Sequence, residues 1–113
     1  MKKNKRIFNV YHVEKTVEPN GKVHLPKKFL DSLDIKARDK VIVALYLGDR
    51  TVRIRKMKVV YDVIYTEKTI DQTGKVYIPK RFRDKISIKT GNIVDVALYE
   101  DHDIRIRKKI YHT

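Results

Sequence analysis

The sequence predicts a mainly β (α+β) domain, a β-barrel formed by two tandem β-β-α-β-β units related by pseudo-twofold symmetry. Three observations predict it. Residues 14–47 lie over residues 67–100 at a constant offset of 53 with no gap, and 17 of the 34 positions are identical. Within each copy the second half alternates apolar and polar residues with period two, the pattern of half-buried strands. A unit of about fifty residues buries only a thin core and leaves open strand edges, so two units in one chain are expected to share a core and close the sheet between them. The units run over 7–56 and 60–108, behind a basic arm at 1–6 and across a linker at 57–59, and the two halves form one domain.

Each element has a local reason. The segment running into Val17 or Ile70 is rich in β-branched and aromatic residues and meets a tight turn at Pro19-Asn20-Gly21 or Gln72-Thr73-Gly74. Asn-Gly is a strong hairpin signal; the second copy keeps the glycine and loses the asparagine, which leaves its turn type open. The chain returns as Lys22-Val23-His24-Leu25 or Lys75-Val76-Tyr77-Ile78, completing a β-hairpin. Pro26 and Pro79 suit a first helical turn, where the missing N–H is no loss, and Phe29 with Leu33, or Phe82 with Ile86, falls four apart on one face. A helix of about two turns is predicted in each unit, stopped by the polar turns Ala37-Arg38-Asp39 and Thr90-Gly91-Asn92. Val41, Val43 and Leu45, like Val94, Val96 and Leu98, then share one face of a strand, while Asp95, Ala97 and Tyr99 take the other. After Gly48-Asp49-Arg50 or Asp101-His102-Asp103 the offset falls to 52, and the return strands set Val52 and Ile54, or Ile104 and Ile106, inward. Arg53, Arg55, Arg105 and Arg107 point outward as edge charge, and the recurring Tyr46 and Tyr99 are expected to pack in the core or barrel.

With 27 Lys and Arg against 14 Asp and Glu the chain carries a net charge of +13 and a pI near 10, which favours polyanionic partners, nucleic acid first. There are no cysteines, so disulfides, thiolate metal sites and thiol catalysis are excluded, and a reducing, cytoplasmic setting is expected. The apolar run from Val41 to Leu47 is too short to cross a bilayer, and the basic start is not followed by a signal-type run, so no membrane partner is expected. His12, His24, His102 and His112 lack metal-ligand spacing, the four glycines build no phosphate loop, and no nucleophile motif is present. The expectation is a protein that is not an enzyme, with no metal, no cofactor and no small-molecule substrate.

Residues 18–35, Glu-Pro-Asn-Gly-Lys-Val-His-Leu-Pro-Lys-Lys-Phe-Leu-Asp-Ser-Leu-Asp-Ile, and 71–88, Asp-Gln-Thr-Gly-Lys-Val-Tyr-Ile-Pro-Lys-Arg-Phe-Arg-Asp-Lys-Ile-Ser-Ile, share one motif. An acidic residue is followed three positions on by Gly, then by a basic residue, an apolar pair around one variable position, Pro, and a short basic helix. The motif resembles that of the AbrB-like, or SpoVT-AbrB, swapped-hairpin DNA-binding domain, here as a tandem copy in one chain. The resemblance implies a transcriptional regulator or antitoxin in which two half-barrels interlock by exchanging hairpins. The arginine pair that members often carry late in the short helix is replaced by Leu30-Asp31 and Arg83-Asp84, and the post-helix glycine is Arg38 in the first unit and Gly91 in the second. The few residues after Lys109 are too short for a toxin-binding segment, which favours a regulator.

The cations carry the functional reading. Lys27-Lys28 and Lys80-Arg81 occupy the first helical turn, where the macrodipole disfavours a cation by roughly 0.3–1 kcal/mol, and the choice is made twice in each copy. A phosphate at the helix start would satisfy both the free N–H groups and these side chains. Lys22 and Lys75 after the turn glycines, with Lys15 and Lys68 across the same hairpins, stand where the resemblance places basic contacts, and cross-strand geometry brings Lys15 and Lys22 to one side. Arg83 can fork onto guanine O6 and N7 whereas Leu30 cannot, so the halves would read different half-sites. Lys2, Lys3, Lys5 and Arg6 form an arm for phosphate or the minor groove.

Residues 1–56 hold 15 Lys and Arg against 6 Asp and Glu, residues 57–113 hold 12 against 8, and the acidic tip around Asp95, Glu100, Asp101 and Asp103 is expected to face away from DNA or toward another subunit. The expected function is a DNA-binding transcriptional regulator, a repressor, meeting an imperfect inverted repeat of double-stranded DNA in the nucleoid, as one chain or a homo-oligomer. Two other readings stand beside it: a sequence-tolerant architectural, chromatin-like protein, and an antitoxin-like protein-interaction module.

Overall fold

The computed structural model describes residues 9–56 and 63–109; the arm at 1–6 and the linker at 57–59 lie outside them. The first unit gives β1 (Val10–Thr16), β2 (Lys22–His24), α1 (Lys27–Ser32), β3 (Lys40–Tyr46) and β4 (Thr51–Lys56). The second gives β5 (Ile64–Thr69), β6 (Lys75–Tyr77), α2 (Lys80–Lys85), β7 (Ile93–Tyr99) and β8 (Asp103–Lys108). Both helices begin directly after their proline and last six residues, as the Pro-then-Phe spacing predicts.

Six strands form one antiparallel sheet in the order β1-β7-β8-β4-β3-β5. Each unit keeps its last two strands together and sends its first strand to the other unit. Thus β1 pairs with β7, setting Val13 opposite Val96, and β5 pairs with β3, setting Thr66 opposite Val43. The centre is the β4–β8 pair, with Arg53 directly opposite Arg105. The second sheet is a two-stranded ribbon in which β2 pairs with β6, Val23 opposite Val76.

This corrects two expectations. The sheet does not close into a barrel, because β1 and β5 are its edges and do not pair with each other. Nor does the Gly turn fold its two strands into one ladder: the Glu18 N–H donates to Lys22 O at 2.9 Å, and beyond that bond β1 and β2 part to different sheets. The reason is burial. Val17, Val23, Ile70 and Val76 are all fully buried, and only by leaving the plane of the large sheet can β2 and β6 lay their valines over its inner face. The turns themselves close alike, although the second lacks the asparagine. The Gly21 N–H donates to Glu18 O at 2.8 Å and the Gly74 N–H to Asp71 O at 3.1 Å, with glycine φ of 82° and 87°. The positive φ, which glycine tolerates without a Cβ clash, is the shared requirement, and the asparagine is dispensable.

One hydrophobic cluster draws on both units, with Phe29, Leu30, Ile35, Val43 and Ile54 from the first and Phe82, Ile86, Ile88, Val96 and Ile106 from the second. It lies between the inner face of the six-stranded sheet and the cover formed by the ribbon and helices. The outer face carries the alternate residues. Tyr46 and Tyr99 belong there, half-buried, and not in the core: the Arg53 guanidinium lies 3.8 Å from the Tyr46 ring centroid and that of Arg105 lies 3.7 Å from Tyr99. Each arginine is further held by an aspartate, Arg53 by Asp49 at 2.6 Å and Arg105 by Asp103 at 2.8 Å. Among the described residues no helix is long and apolar enough to cross a membrane.

Candidate nucleic-acid interface

The ribbon and the two helix starts carry six of the predicted cations, Lys22, Lys27, Lys28, Lys75, Lys80 and Arg81. In β2 and β6 the central valines point into the core, so the flanking Lys22, His24, Lys75 and Tyr77 stand on the opposite side, each partly exposed. Register puts Lys22 opposite Tyr77 and His24 opposite Lys75. The ribbon strands run directly into Pro26 and Pro79, so α1 and α2 leave from opposite ends of the ribbon. A pseudo-twofold axis passes between Val23 and Val76 and relates Lys15, Lys22, Lys27 and Lys28 to Lys68, Lys75, Lys80 and Arg81.

The twins make reciprocal contacts. Lys22 Nζ reaches Asp71 Oδ2 at 3.1 Å in the other unit's turn, and Lys75 Nζ reaches Glu18 Oε2 at 3.0 Å. These two lysines therefore lock one hairpin to the other, a role that sequence spacing alone did not reveal. Lys15 and Lys22, expected on one side of a shared hairpin, sit instead in different sheets. Lys68 Nζ lies 5.2 Å from the Tyr77 ring centroid. Lys15 approaches the equivalent His24, whose pKa is lowered by burial first and then by Lys15 and Lys75. His24 is thus neutral at pH 7.

At the helix starts Lys27 pairs with Asp31 at 2.9 Å and Lys80 with Asp84 at 3.1 Å, all four exposed and one turn apart. Exposed pairs of this kind contribute at most about 0.5 kcal/mol, so both lysines are available to a stronger anion. Lys28 and Arg81 are exposed, the latter with its guanidinium 4.9 Å from the Phe82 ring centroid. Neither helix has an acidic residue in its first turn or a side-chain cap.

Arg83 needs a correction. Expected to reach a base edge, it is only 9% exposed; its Nε donates to Ile78 O at 2.8 Å and its guanidinium lies against Gly21. The helix face that carries it also carries the buried Phe82 and Ile86, so it turns inward. Lys3, Lys5 and Arg6, the candidate arm, lie outside the described residues.

Sequence reasoning also missed Asp71 as the hub of the second turn. It accepts the Thr73 N–H at 2.9 Å, the Thr73 hydroxyl at 2.8 Å and the Lys75 N–H at 2.9 Å, besides Lys22. Burial alone would push its carboxyl up, but these donors together outweigh it and hold the pKa far below the usual carboxylate range. An Asp-x-Thr turn signal was present in the sequence and could have found it. In the acidic tip Asp95 meets His12 at 3.0 Å and Arg107 at 3.5 Å, Asp103 meets Arg105 at 2.8 Å, and Glu100 accepts from Asn9 at 2.9 Å. Among the described residues no group of three or more His, Cys, Asp or Glu could hold a metal ion.

No protein-family model matches the chain, and no curated protein matches it. Among solved structures it is similar to the solution structure of PHS018 from Pyrococcus horikoshii. The identity is 20%, the TM-score 0.50, and the match covers 88% of this chain and 95% of that one. At that identity the likeness speaks for the fold alone.

Proposed function

We propose that this protein is a DNA-binding transcriptional regulator of the AbrB-like, swapped-hairpin type, a tandem copy that meets double-stranded DNA with the ribbon and the two helix starts. One observation carries the reading: eight cations, Lys15, Lys22, Lys27, Lys28, Lys68, Lys75, Lys80 and Arg81, stand in twofold pairs on or beside the ribbon and helices that cover the core. The strand exchange between units, β1 to β7 and β5 to β3, is what the resemblance implies for such a domain and supports it further. Pseudo-twofold placement suits an imperfect inverted repeat, and bound protein would repress by occlusion.

The lysines act as point charges on phosphates, so affinity should fall with salt at a slope of about −0.9 in log K against log salt per phosphate neutralised. Selection of bound duplexes from a random pool at two salt concentrations tests the reading: a preferred site should be recovered, favoured over random duplex by roughly a thousandfold. Failure to bind duplex DNA at low salt would remove it.

The inward turn of Arg83 favours a second reading, in which the chain coats DNA with little sequence preference, because it leaves Arg81 as the one guanidinium on the exposed face of a helix start. The same selection separates the two, since a coating protein yields duplexes of no common sequence.

A further inference from the structure

We propose that the first corner, where Leu30 and His24 stand in for Arg83 and Tyr77, is a receptor site for a small guanidinium compound bound in the place that Arg83 fills in the second corner. The site is independent of the DNA reading. Its argument is the comparison of two corners that share one backbone. The Leu25 N–H donates to Gly74 O at 2.9 Å and the Ile78 N–H to Gly21 O at 3.0 Å. Pro26 and Pro79 have φ of −55° and −52° and ψ of 140° and 141°.

Side chains alone differ. In the second corner a Cβ added to Gly21 would sit 2.8 Å from Arg83 Nη2 and 2.8 Å from the Tyr77 ring, so that space is full. In the first, a Cβ on Gly74 would lie 3.3 Å from Leu25 O and 3.6 Å from His24 Nε2 and Leu30 Cδ1. What remains is a cavity of about 240 Å³, walled by Leu25, Leu30, Ile35 and Ala37 with His24 and Asp31 at its edge. Ile78 O accepts the Arg83 Nε–H; opposite its twin, Leu25 O, the equivalent position is Leu30, whose side chain carries no donor.

The chemistry of that space selects the occupant. An apolar wall, a carbonyl oxygen, a neutral imidazole and a carboxylate offer acceptors and hydrophobic cover, which suits a planar donor fork on a short alkyl stem. Lys27 and Lys36 also border the cavity, but each is drawn to an aspartate, Asp31 at 2.9 Å and Asp34 at 3.7 Å. Their twins Lys80 and Lys89 do not keep Arg83 from its seat. An anion seated inside the cavity would face the Asp31 carboxylate as well as these lysines.

The test titrates ethylguanidinium, neutral N-ethylurea and butanoate into the full chain, with amide and methyl NMR shifts as the readout. Ethylguanidinium should give saturable shifts at the Gly74 N–H and the Leu30 methyls and none at Gly21, while the other two probes leave these signals unmoved. Leu30→Arg, which supplies the guanidinium covalently, should abolish the shifts. Should that variant not fold, Arg83→Leu combined with Tyr77→His opens the second corner and should create a second site, seen at Gly21 and Ile78. Absence of saturation by ethylguanidinium, saturation by butanoate, binding that survives Leu30→Arg in a folded variant, or no new site in the folded double variant would each overturn the proposal.

Discussion

The two corners of the molecule follow the same path and are finished differently. Gly21 and Gly74 take the same positive φ, Pro26 and Pro79 start helices of equal length, and Phe29 and Phe82 drop into one core. Yet the second corner is closed by an internal guanidinium bond and the first ends in an aliphatic wall beside a cavity. The residues that the two copies share are those that fix the backbone, while those that differ decide how each corner is filled. A duplicated unit can therefore keep its scaffold while its two surfaces acquire separate uses.

The largest effect should come where the copies are identical. Phe82 is fully buried and Phe29 is 6% exposed. Replacing Phe82 by Ala should cost about 3–5 kcal/mol of stability, and Phe29→Ala slightly less, measured by urea unfolding followed by circular dichroism. A large loss for one and a negligible one for the other would break the picture of a core shared evenly by the halves. Next is the charge at the helix starts. Reversing Lys27 and Lys28 to Glu, or Lys80 and Arg81 to Glu, should each weaken duplex binding by about a hundredfold and lower the salt slope by about 2, with the circular dichroism spectrum unchanged. Equal losses support twofold engagement. A loss confined to one corner would mean that a single corner meets DNA.

Arg83→Leu sharpens the comparison directly, since it gives the second corner the leucine of the first. It strips Ile78 O of its donor and opens space against Gly21. The expected cost is about 1–3 kcal/mol, the range for a buried polar group left unsatisfied. If the variant is as stable as the parent, the Arg83 bond holds nothing.

Much of this was legible in the sequence, and the gaps have physical causes. The repeat, the Pro-started helices and the period-two strands all express local rules, so the ten elements fall close to where the residues predict them. Pairing is not local. Nothing in Val10–Thr16 says whether its ladder partner is β2 or β7, and the hairpin turn at Gly21 pointed to the wrong one. The cations at the helix starts were readable because they break the macrodipole rule. Arg83 was misjudged because an arginine on a short helix reads as exposed, and only the fold shows that its face also carries Phe82 and Ile86. Lys22 and Lys75 were found as cations, but their acidic partners, Asp71 and Glu18, lie across a pairing that the sequence did not display.

The two turns hold their acidic residues differently. Asp71 binds two backbone N–H groups, a hydroxyl and Lys22, whereas the Glu18 carboxylate meets Lys75. With its folded pKa below the unfolded value of 3.8, Asp71 contributes stability that is fully present above that value and is lost as pH falls through the folded one. Asp71→Asn should therefore lower stability at pH 7 by about 1 kcal/mol and flatten the decline below pH 4, seen in urea midpoints taken across pH. Glu18→Gln should lower stability at pH 7 by less, because it breaks one partly exposed ion pair.

The smallest expected effect lies in the post-helix turns. Arg38 and Gly91 are twins in the left-handed region, φ 73° and 88°, and both N–H groups donate at 2.7 Å, to Ile70 O and Val17 O. A side chain costs about 1–2 kcal/mol in that conformation. Glycine removes the strain but gains about 0.5–1 kcal/mol of chain entropy in the unfolded state. Arg38→Gly should thus stabilise by about 0.5 kcal/mol, raising the melting temperature by about 2–4 °C. Gly91→Arg should lower it by a similar amount, because the backbone bond is the same in both units. A fall on Arg38→Gly would show that the exposed guanidinium, absent from the second unit, repays its strain with a contact of its own.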